Sequence, residues 1–248
     1  PVIEEKYPDA YISMGLTAEN LAKEYSISRV SQEEFALNSH KKALKAKSEG
    51  LLTKEIVPVK AEEMIISEDG CMRETTMEKM ARLPPAFLDN GTVTAATSSP
   101  LTDGAACNLI SSDRYASENS LECLAEIVST AVTGVDPHIM GIGPVKASKR
   151  ALERAEITLD DVDVIELNEA FSAQSIAVMK DLDLESDDSR INIDGGALAI
   201  GHPLGASGAR ILGKAASLLN RTGGDYALAT MCIGGGMGIA TVLRNFES

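Results

Sequence analysis

The sequence predicts an α/β fold that is built in layers. Beyond about residue 120, apolar β-prone runs alternate with segments of helical pattern, which is typical of strands connected by helices. The last two runs, 226–231 and 238–243, flank a glycine-rich turn, so they should close the fold as an antiparallel pair. The residues before about 100 instead predict helices joined by irregular segments.

In this first part, polar residues mark the expected helix starts. Thr17 can cap a helix over 18–25, because a threonine hydroxyl satisfies N–H groups that lack a partner in the helix. Ser31 and Glu34 have the capping-box spacing and predict a longer helix that ends at Gly50. Three further elements follow: a strand at 53–59, a helix at 72–87 that Pro84 and Pro85 end, and a β-prone stretch at 91–95.

The second part predicts the alternating elements of the layered domain. Pro144 suits the first position of a helix, because its missing N–H would have no partner there. The elements expected before the closing pair are a strand at 124–133, a helix at 145–155, a strand at 162–167, a helix at 170–181, a strand at 190–193 and a helix at 206–220.

The composition is that of an ordinary soluble globular protein, with 44% hydrophobic and 24% charged residues. No apolar run approaches the ~20 residues of a membrane span, and the start, which lacks Met, does not resemble a signal peptide. The formal charge of −14 argues against a nucleic-acid partner. The four cysteines form no C-x-x-C pair, so we expect no metal site, and their small number favours the cytoplasm or an organellar matrix.

A basic cluster lies in the first part of the chain, at Lys41, Lys42, Lys45 and Lys47. It predicts either a solvated helix face or a surface that binds a polyanion. A nucleotide-binding protein is a weaker alternative, because the glycine-rich loops contain neither G-K-[ST] nor G-x-G-x-x-G.

His202 stands in a glycine-rich loop before a predicted helix. Pro203 restricts His202 to an extended backbone conformation, and the flanking glycines let the main chain approach another group closely. A lone histidine is more often structural, but five glycines from Gly195 to Gly208 favour a fixed and accessible imidazole.

Cys232 precedes three successive glycines, Gly234 to Gly236, that should expose its sulfur and nearby backbone N–H groups. A reactive thiol needs such access, and N–H groups can stabilise an oxyanion. A tight hairpin explains the glycines but not the cysteine. A third segment, Asn168-Glu169-Ala170-Phe171, follows an apolar strand, where Asn and Glu are also ordinary helix-start residues.

Taken together, these segments resemble the thiolase family. The motifs that carry the resemblance are Asn168-Glu169-Ala170-Phe171, Gly201-His202-Pro203 and Cys232-Ile233-Gly234-Gly235-Gly236, with Met140-Gly141-Ile142-Gly143-Pro144 before them. The likeness runs along essentially the whole chain, although Cys107, Asn108 and Ser172 replace residues that are commoner in the family.

The resemblance implies a thiolase fold, in which two similar α/β halves form a layered core and a CoA-binding loop domain is inserted in the first half. Residues 1–101 would be most of that loop domain, 102–122 the tail of the first half and 123–248 the second half. The fold would therefore be incomplete here, and the cysteine that becomes acylated in the family would be absent.

The resemblance also implies roles in Claisen condensation of acyl-CoA units, or in cleavage of 3-oxoacyl-CoA by CoA. His202 would activate the nucleophile, Asn168 would position a water of the oxyanion hole, Cys232 would be the acid–base, and Gly234 N–H an oxyanion donor. CoA would be a substrate, with no tightly bound cofactor. Its expected contacts are Arg73, Phe87, Ala95, Ser99, Met140 and Phe171.

Relatives of this kind are dimers or tetramers, so a homo-oligomer or an N-terminal partner chain is expected. Three functions therefore remain open. The chain is part of an acyltransferase, or one subunit of a split thiolase, or a catalytically inactive CoA-binding or assembly module. The acyl-chain length is open as well.

Overall fold

A mixed sheet forms the centre of the structure, a computed structural model that describes residues 8–246. A separate two-stranded ribbon precedes this sheet in the sequence. The strands are β1 (Val59–Ala61) and β2 (Met64–Ile66) of the ribbon, then β3 (Ala125–Gly134), β4 (Val164–Leu167), β5 (Tyr226–Ile233) and β6 (Met237–Asn245) of the sheet. The sheet order is β3-β6-β5-β4. β6 is antiparallel to both β3 and β5, which confirms the predicted closing pair, and β4 is parallel to β5.

Helices cover the sheet and extend the first part of the chain. They are α1 (Met14–Glu24), α2 (Arg29–Ser48), α3 (Met77–Ala81), α4 (Asp113–Glu118), α5 (Gly143–Ala155), α6 (Ser172–Asp181), α7 (Ala197–Ile200) and α8 (Ser207–Thr222), with 3-10 turns at Pro8–Tyr11, Pro137–Ile142 and Leu159–Asp161. In the part of the chain that the structure describes, no helix is long and apolar enough to cross a membrane.

The centre of the sheet is buried on both faces, as the layered class predicts, whereas Ile127 and Val132 of the edge strand β3 are exposed. Successive residues of a strand point to opposite faces. Leu228 and Val242 therefore pack with α5 and α6 on one face, while Ala227 and Leu243 pack with α8 on the other. Helix α1 lies against α6, and α2 lies against α6 and α7. The loops at the end of β4 are thus enclosed between the sheet and the first part of the chain.

Two predicted helix starts are wrong by several residues. Helix α1 begins before Thr17, whose hydroxyl donates to Met14 O at 2.6 Å inside the helix instead of capping it. Helix α2 begins before Ser31, because Ser28 Oγ accepts the Ser31 N–H at 3.0 Å and is the cap. For α2 a hydroxyl cap was correctly expected, but Ser28 supplies it instead of Ser31.

The predicted helix at 72–87 is confined to α3. Thr76 caps its start by accepting the Lys79 N–H. The guanidinium of Arg29 donates to the carbonyls of Met80, Ala81 and Leu83, which ends the helix ahead of Pro84. A side chain from α2, about fifty residues earlier, therefore sets this boundary.

Three predicted β segments do not form the expected strands. Residues 53–59 are mostly turn and irregular structure, because the Glu55 carboxylate is held by Lys214 and Ser217 of α8. Residues 190–193 make only an isolated bridge from Ile191 to Ile165, since Asn192 has a φ of 45° that no strand allows. Residues 91–95 contribute only an isolated bridge through Thr94.

A buried carboxylate on β4 makes stability depend on pH. Glu166 is fully buried, its nearest cation is Arg210 with Nη1 at 3.8 Å, and neither carboxylate oxygen has a hydrogen-bond partner among the described residues. Burial raises the pKa of Glu166 from 4.5 to about 7. The folded state therefore favours the protonated acid. The free energy of unfolding falls as pH rises from the pKa of Glu166 in the unfolded chain, 4.5, through its folded value of about 7.

We expect the free energy of unfolding of Glu166→Gln, relative to that of the wild type, to rise by on the order of 2 kcal/mol between pH 5 and pH 8. The amide cannot ionise, so it escapes the cost that the carboxylic acid meets above its unfolded pKa. Urea titrations of both proteins at several pH values measure this. Glu118→Gln, on the exposed side of α4, is the control and should show no such trend. A difference in unfolding free energy between Glu166→Gln and the wild type that stays constant with pH would contradict the prediction.

Candidate active site

Asn168 lies directly beyond the end of β4. Its backbone N–H donates to Thr230 O of β5 at 3.0 Å, so the parallel pairing continues one residue past the strand. The chain bends at Ala170, Phe171 is extended, and α6 begins only at Ser172 without a side-chain cap. The predicted start of this helix at residue 170 is therefore wrong, and Asn168 and Glu169 are not capping residues. Both side chains are buried.

His202 is brought to Asn168 by a short, strongly turned segment. Helix α7 ends at Ile200, and the next residue, Gly201, has a φ of 102°, which is open to glycine and strained for other residues. His202 follows at once, half-buried, with its Nε2 at 3.4 Å from Asn168 Nδ2. Its Nδ1 lies 2.6 Å from Ser207 Oγ, at the first residue of α8.

These contacts imply which ring nitrogen carries the proton. The Ser207 hydroxyl donates to Pro203 O at 3.0 Å, so its oxygen is left to accept from His202 Nδ1. Nε2 then keeps its lone pair and accepts from the Asn168 amide. Burial, with Arg210 nearby, lowers the pKa of His202. The imidazole is thus a neutral base whose free nitrogen faces Asn168.

Cys232 lies near the end of β5, two residues beyond Thr230. It pairs with Gly238 of β6, and it packs with Met140 and Ala170. The residue is buried, so the expectation of an exposed sulfur is wrong, and burial raises the pKa of the Cys232 thiol to about 12. The glycines serve the hairpin turn instead of opening a path to the sulfur.

The hairpin turn beyond Cys232 depends on glycine for its shape. Gly235 and Gly236 have φ of 86° and 91°. A Cβ on Gly236 would lie 2.3 Å from the carbonyl oxygen of Val135, so the turn presses directly on the chain that follows β3. Gly234 is exposed at the tip of the turn, and a Cβ added to it would lie 3.9 Å from the Met14 sulfur.

Four of the expected CoA contacts surround Ala170. The Phe87 and Phe171 rings meet edge to face, with centroids 5.9 Å apart. The Ser99 N–H donates to Ala170 O at 3.0 Å, and Met140 packs in the same apolar cluster as Cys232. The structure therefore gathers Phe87, Ser99, Met140 and Phe171 around the segment that carries Asn168.

The other two expected contacts lie elsewhere. Ala95 is exposed on a turn that Thr94 and Thr97 close. Arg73 lines a pocket of about 300 Å³ beside α2. The other residues around this pocket are Leu37, His40, Lys41, Leu44, Glu74, Thr75, Thr76 and Lys79. Its cations suit an anionic ligand, but of the lysine cluster of α2 only Lys41 lines the pocket, while Lys42 donates to Ile191 O on another side of the helix.

His40 of this pocket was not singled out from the sequence. It is buried, and burial with the charge of Arg73 lowers its pKa to about 4. Neither ring nitrogen has a hydrogen-bond partner among the described residues. Ser207, the partner of the catalytic candidate His202, was also missed. Its signal was a hydroxyl residue five positions after the histidine, at the start of a helix.

Comparisons with known proteins identify the family of the chain. The family model "Thiolase, C-terminal domain" matches residues 121–245, and "Thiolase, N-terminal domain" matches residues 5–114. A 3-ketoacyl-CoA thiolase of Aliivibrio fischeri is 50% identical over 93% of this chain and 62% of its own length.

Solved structures give the same result for the fold. The crystal structure of the Bacillus anthracis acetyl-CoA acetyltransferase matches with a TM-score of 0.91 and 43% identity, over 95% of this chain and 60% of that one. Human mitochondrial 3-ketoacyl-CoA thiolase in complex with CoA matches with a TM-score of 0.88 and 40% identity, over 94% and 59%. The chain thus spans about three fifths of the length of these relatives. A family model that covers half of the chain, together with these identities and the shared fold, shows that the chain belongs to the thiolase family.

Proposed function

We propose that the chain is part of an acyltransferase of the thiolase type, which cleaves 3-oxoacyl-CoA with CoA or condenses acyl-CoA units in reverse. The observation that carries the proposal is the Asn168–His202 contact of 3.4 Å, with the imidazole fixed from its other side by Ser207. A neutral imidazole held in this way can take a proton from a thiol and then donate it to a thioester oxygen.

In this reaction His202 takes the proton of the nucleophilic cysteine, which we place outside these 248 residues. The cysteine attacks the 3-oxo carbon, the bond between the α-carbon and that carbon breaks, and the electron pair stays on the leaving acyl-CoA as an enolate. The N–H of protonated His202 and a water positioned by Asn168 would then neutralise charge on the thioester oxygen.

Cys232 is proposed as the acid that protonates the enolate. A thiol with a pKa of about 12 is fully protonated at neutral pH, which is the form that this step requires. In the reverse direction the Cys232 thiolate would take the α-proton of the acyl-CoA. The Gly234 N–H, at the exposed tip of the hairpin, is proposed as a donor to the second oxyanion, which forms on the 3-oxo carbon when the nucleophilic cysteine attacks it.

CoA is proposed as a substrate without a tightly bound cofactor. Its thioester end would lie between Phe87, Ser99, Met140 and Phe171, and its phosphates at the pocket of Arg73. We keep the division into a loop domain at 1–101, a connecting tail at 102–122 and a C-terminal half at 123–248. The relatives' names support this substrate class, since they are a 3-ketoacyl-CoA thiolase and an acetyl-CoA acetyltransferase.

The active form is proposed to be an oligomer, or a complex with a chain that carries the nucleophile, in the cytoplasm or an organellar matrix. Apolar side chains along the irregular segment 99–112 support association. Leu101, Leu109 and Ile110 are exposed there, and a partner chain would remove such apolar surface from water.

Reconstitution tests the proposed function. The chain, combined with the nucleophile-carrying segment of a relative, should cleave acetoacetyl-CoA or a longer 3-oxoacyl-CoA when CoA is added. His202→Ala and Cys232→Ala should each lower kcat about 10²- to 10⁴-fold, because each removes a proton-transfer group. His138→Ala and Cys123→Ala are the matched controls and should stay near the wild type. Activity that is indifferent to both site variants would refute the assignment.

The alternative, an inactive CoA-binding or assembly module, is motivated by the nucleophile that we place outside this chain, and the cationic pocket at Arg73 would bind CoA in either case. Calorimetric titration with CoA, combined with the turnover assay, separates the two. Binding of CoA without turnover in the reconstituted protein identifies the inactive module, whereas binding with turnover identifies the enzyme.

A further inference from the structure

Glu169, next to Asn168, makes more hydrogen bonds than any role at a helix start requires. Its carboxylate is buried and accepts from Ser39 Oγ at 2.6 Å, from Asn192 Nδ2 at 2.6 Å and from Leu198 N at 3.2 Å. These donors are 130, 23 and 29 residues away in the sequence. One carboxylate thus joins α2, the segment beside β4 and α7.

The carboxylate rests directly on the start of α7. The Ser39 hydroxyl that donates to Glu169 also accepts the Gly196 N–H at 3.0 Å. A Cβ on Gly196 would lie 2.2 Å from the carboxylate carbon, so only glycine fits between the two groups. Gly196, Leu198 and Glu169 are therefore held as one unit.

This unit determines where the imidazole lies. Helix α7 is four residues long, and His202 comes two residues after its end. Glu169 is covalently next to Asn168, so the same carboxylate fixes both sides of the 3.4 Å contact. Asn192, which donates to Glu169, also closes two hydrogen bonds of 2.9 Å with the backbone of Leu167, at the end of β4.

We propose that Glu169 is a positioning residue that holds the Asn168 amide and the His202 imidazole at hydrogen-bonding distance, and its role in turnover rests on the function proposed above. It acts through the backbone of its own segment and through α7. Its three donors divide between the two oxygens, with one on Oε1 and two on Oε2.

Glu169→Gln is the primary test, because it keeps the shape of the side chain and replaces an acceptor oxygen with an NH₂ group that faces donors. In the chain labelled with ¹⁵N-histidine, wild-type His202 should show one protonated and one unprotonated nitrogen. In the variant the two signals should move toward each other as the tautomers mix. His138 is the internal reference and should not change.

The reconstituted enzyme gives the second readout. Misplacement of a catalytic group lowers the rate of the chemical step far more than it weakens substrate binding. The Glu169→Gln variant should therefore lose about 10- to 100-fold in kcat, with KM within about threefold of the wild type. A loss confined to thermal stability, with His202 signals and kcat unchanged, overturns the proposal.

A second variant and a control keep the test decisive. Ser39→Ala removes one of the three donors and should change the His202 signals in the same direction, but less. Ser129→Ala loses a buried hydroxyl bond of 2.6 Å to Ala151 O, beneath α5, and should leave those signals unchanged. If Glu169→Gln does not fold, unchanged His202 signals in Ser39→Ala overturn the proposal.

The two proposals fail in different ways. A wild-type protein without turnover in reconstitution contradicts the proposed function, while the nitrogen signals still decide whether Glu169 positions His202. Turnover that depends on His202 and Cys232, with signals that do not respond to Glu169, contradicts only the positioning role.

Discussion

At pH 8, iodoacetamide should modify Cys232 at least about 100-fold more slowly than it modifies Cys107, because only the thiolate reacts. With a pKa of about 12, about 10⁻⁴ of the Cys232 thiol is ionised at this pH. An ordinary thiol is about a quarter ionised at the same pH. Cys107 is exposed, whereas Cys232 is buried, so access widens the difference.

A time course of alkylation, followed by peptide mass spectrometry, measures both rates in one sample. In urea the two cysteines should react at similar rates, which is the control for peptide recovery. Equal rates in the folded chain would contradict both the burial of Cys232 and the raised pKa of its thiol.

Gly238→Ala should lower the free energy of unfolding by about 3 kcal/mol or more, at the upper end of the range for overpacked cores. A Cβ on Gly238 would lie 2.1 Å from the carbonyl carbon of Gly143 and 2.7 Å from Pro144 N. Both neighbours are backbone atoms at the start of α5, so no side chain can rotate away. The start of β6 and the start of α5 would have to separate.

Urea denaturation of the two proteins measures the effect. Gly70→Ala is the matched control, since no atom lies within 4 Å of the position of its Cβ, and it should stay within about 1 kcal/mol of the wild type. A Gly238→Ala variant as stable as the control would show that α5 and β6 are not in direct contact.

The sheet and the helices of the second part could be predicted because their signals are local. The strand expected at 124–133 is β3, and the helix expected at 206–220 is α8. Errors arose where a distant side chain decides the outcome. Arg29 ends α3 from another helix, and the Lys214 contact of Glu55 replaces a strand with a turn.

The site was only partly accessible from the sequence for the same reason. The glycines and Pro203 indicated that His202 is fixed, and the structure places it against Asn168. Burial of Cys232 depends on Met140 and Ala170, which are distant in the chain, so no pattern near the cysteine reports it. The bond from Ser39 to Glu169 spans 130 residues, and neither residue carries a local signal for it.

Ser39 and His40, which are neighbours on α2, have a mechanical consequence. Ser39 holds the carboxylate beside Asn168, and His40 lines the Arg73 pocket. Successive helical residues point about 100° apart and turn together about the axis. A rotation of α2 would therefore displace the Ser39 hydroxyl and the His40 ring together.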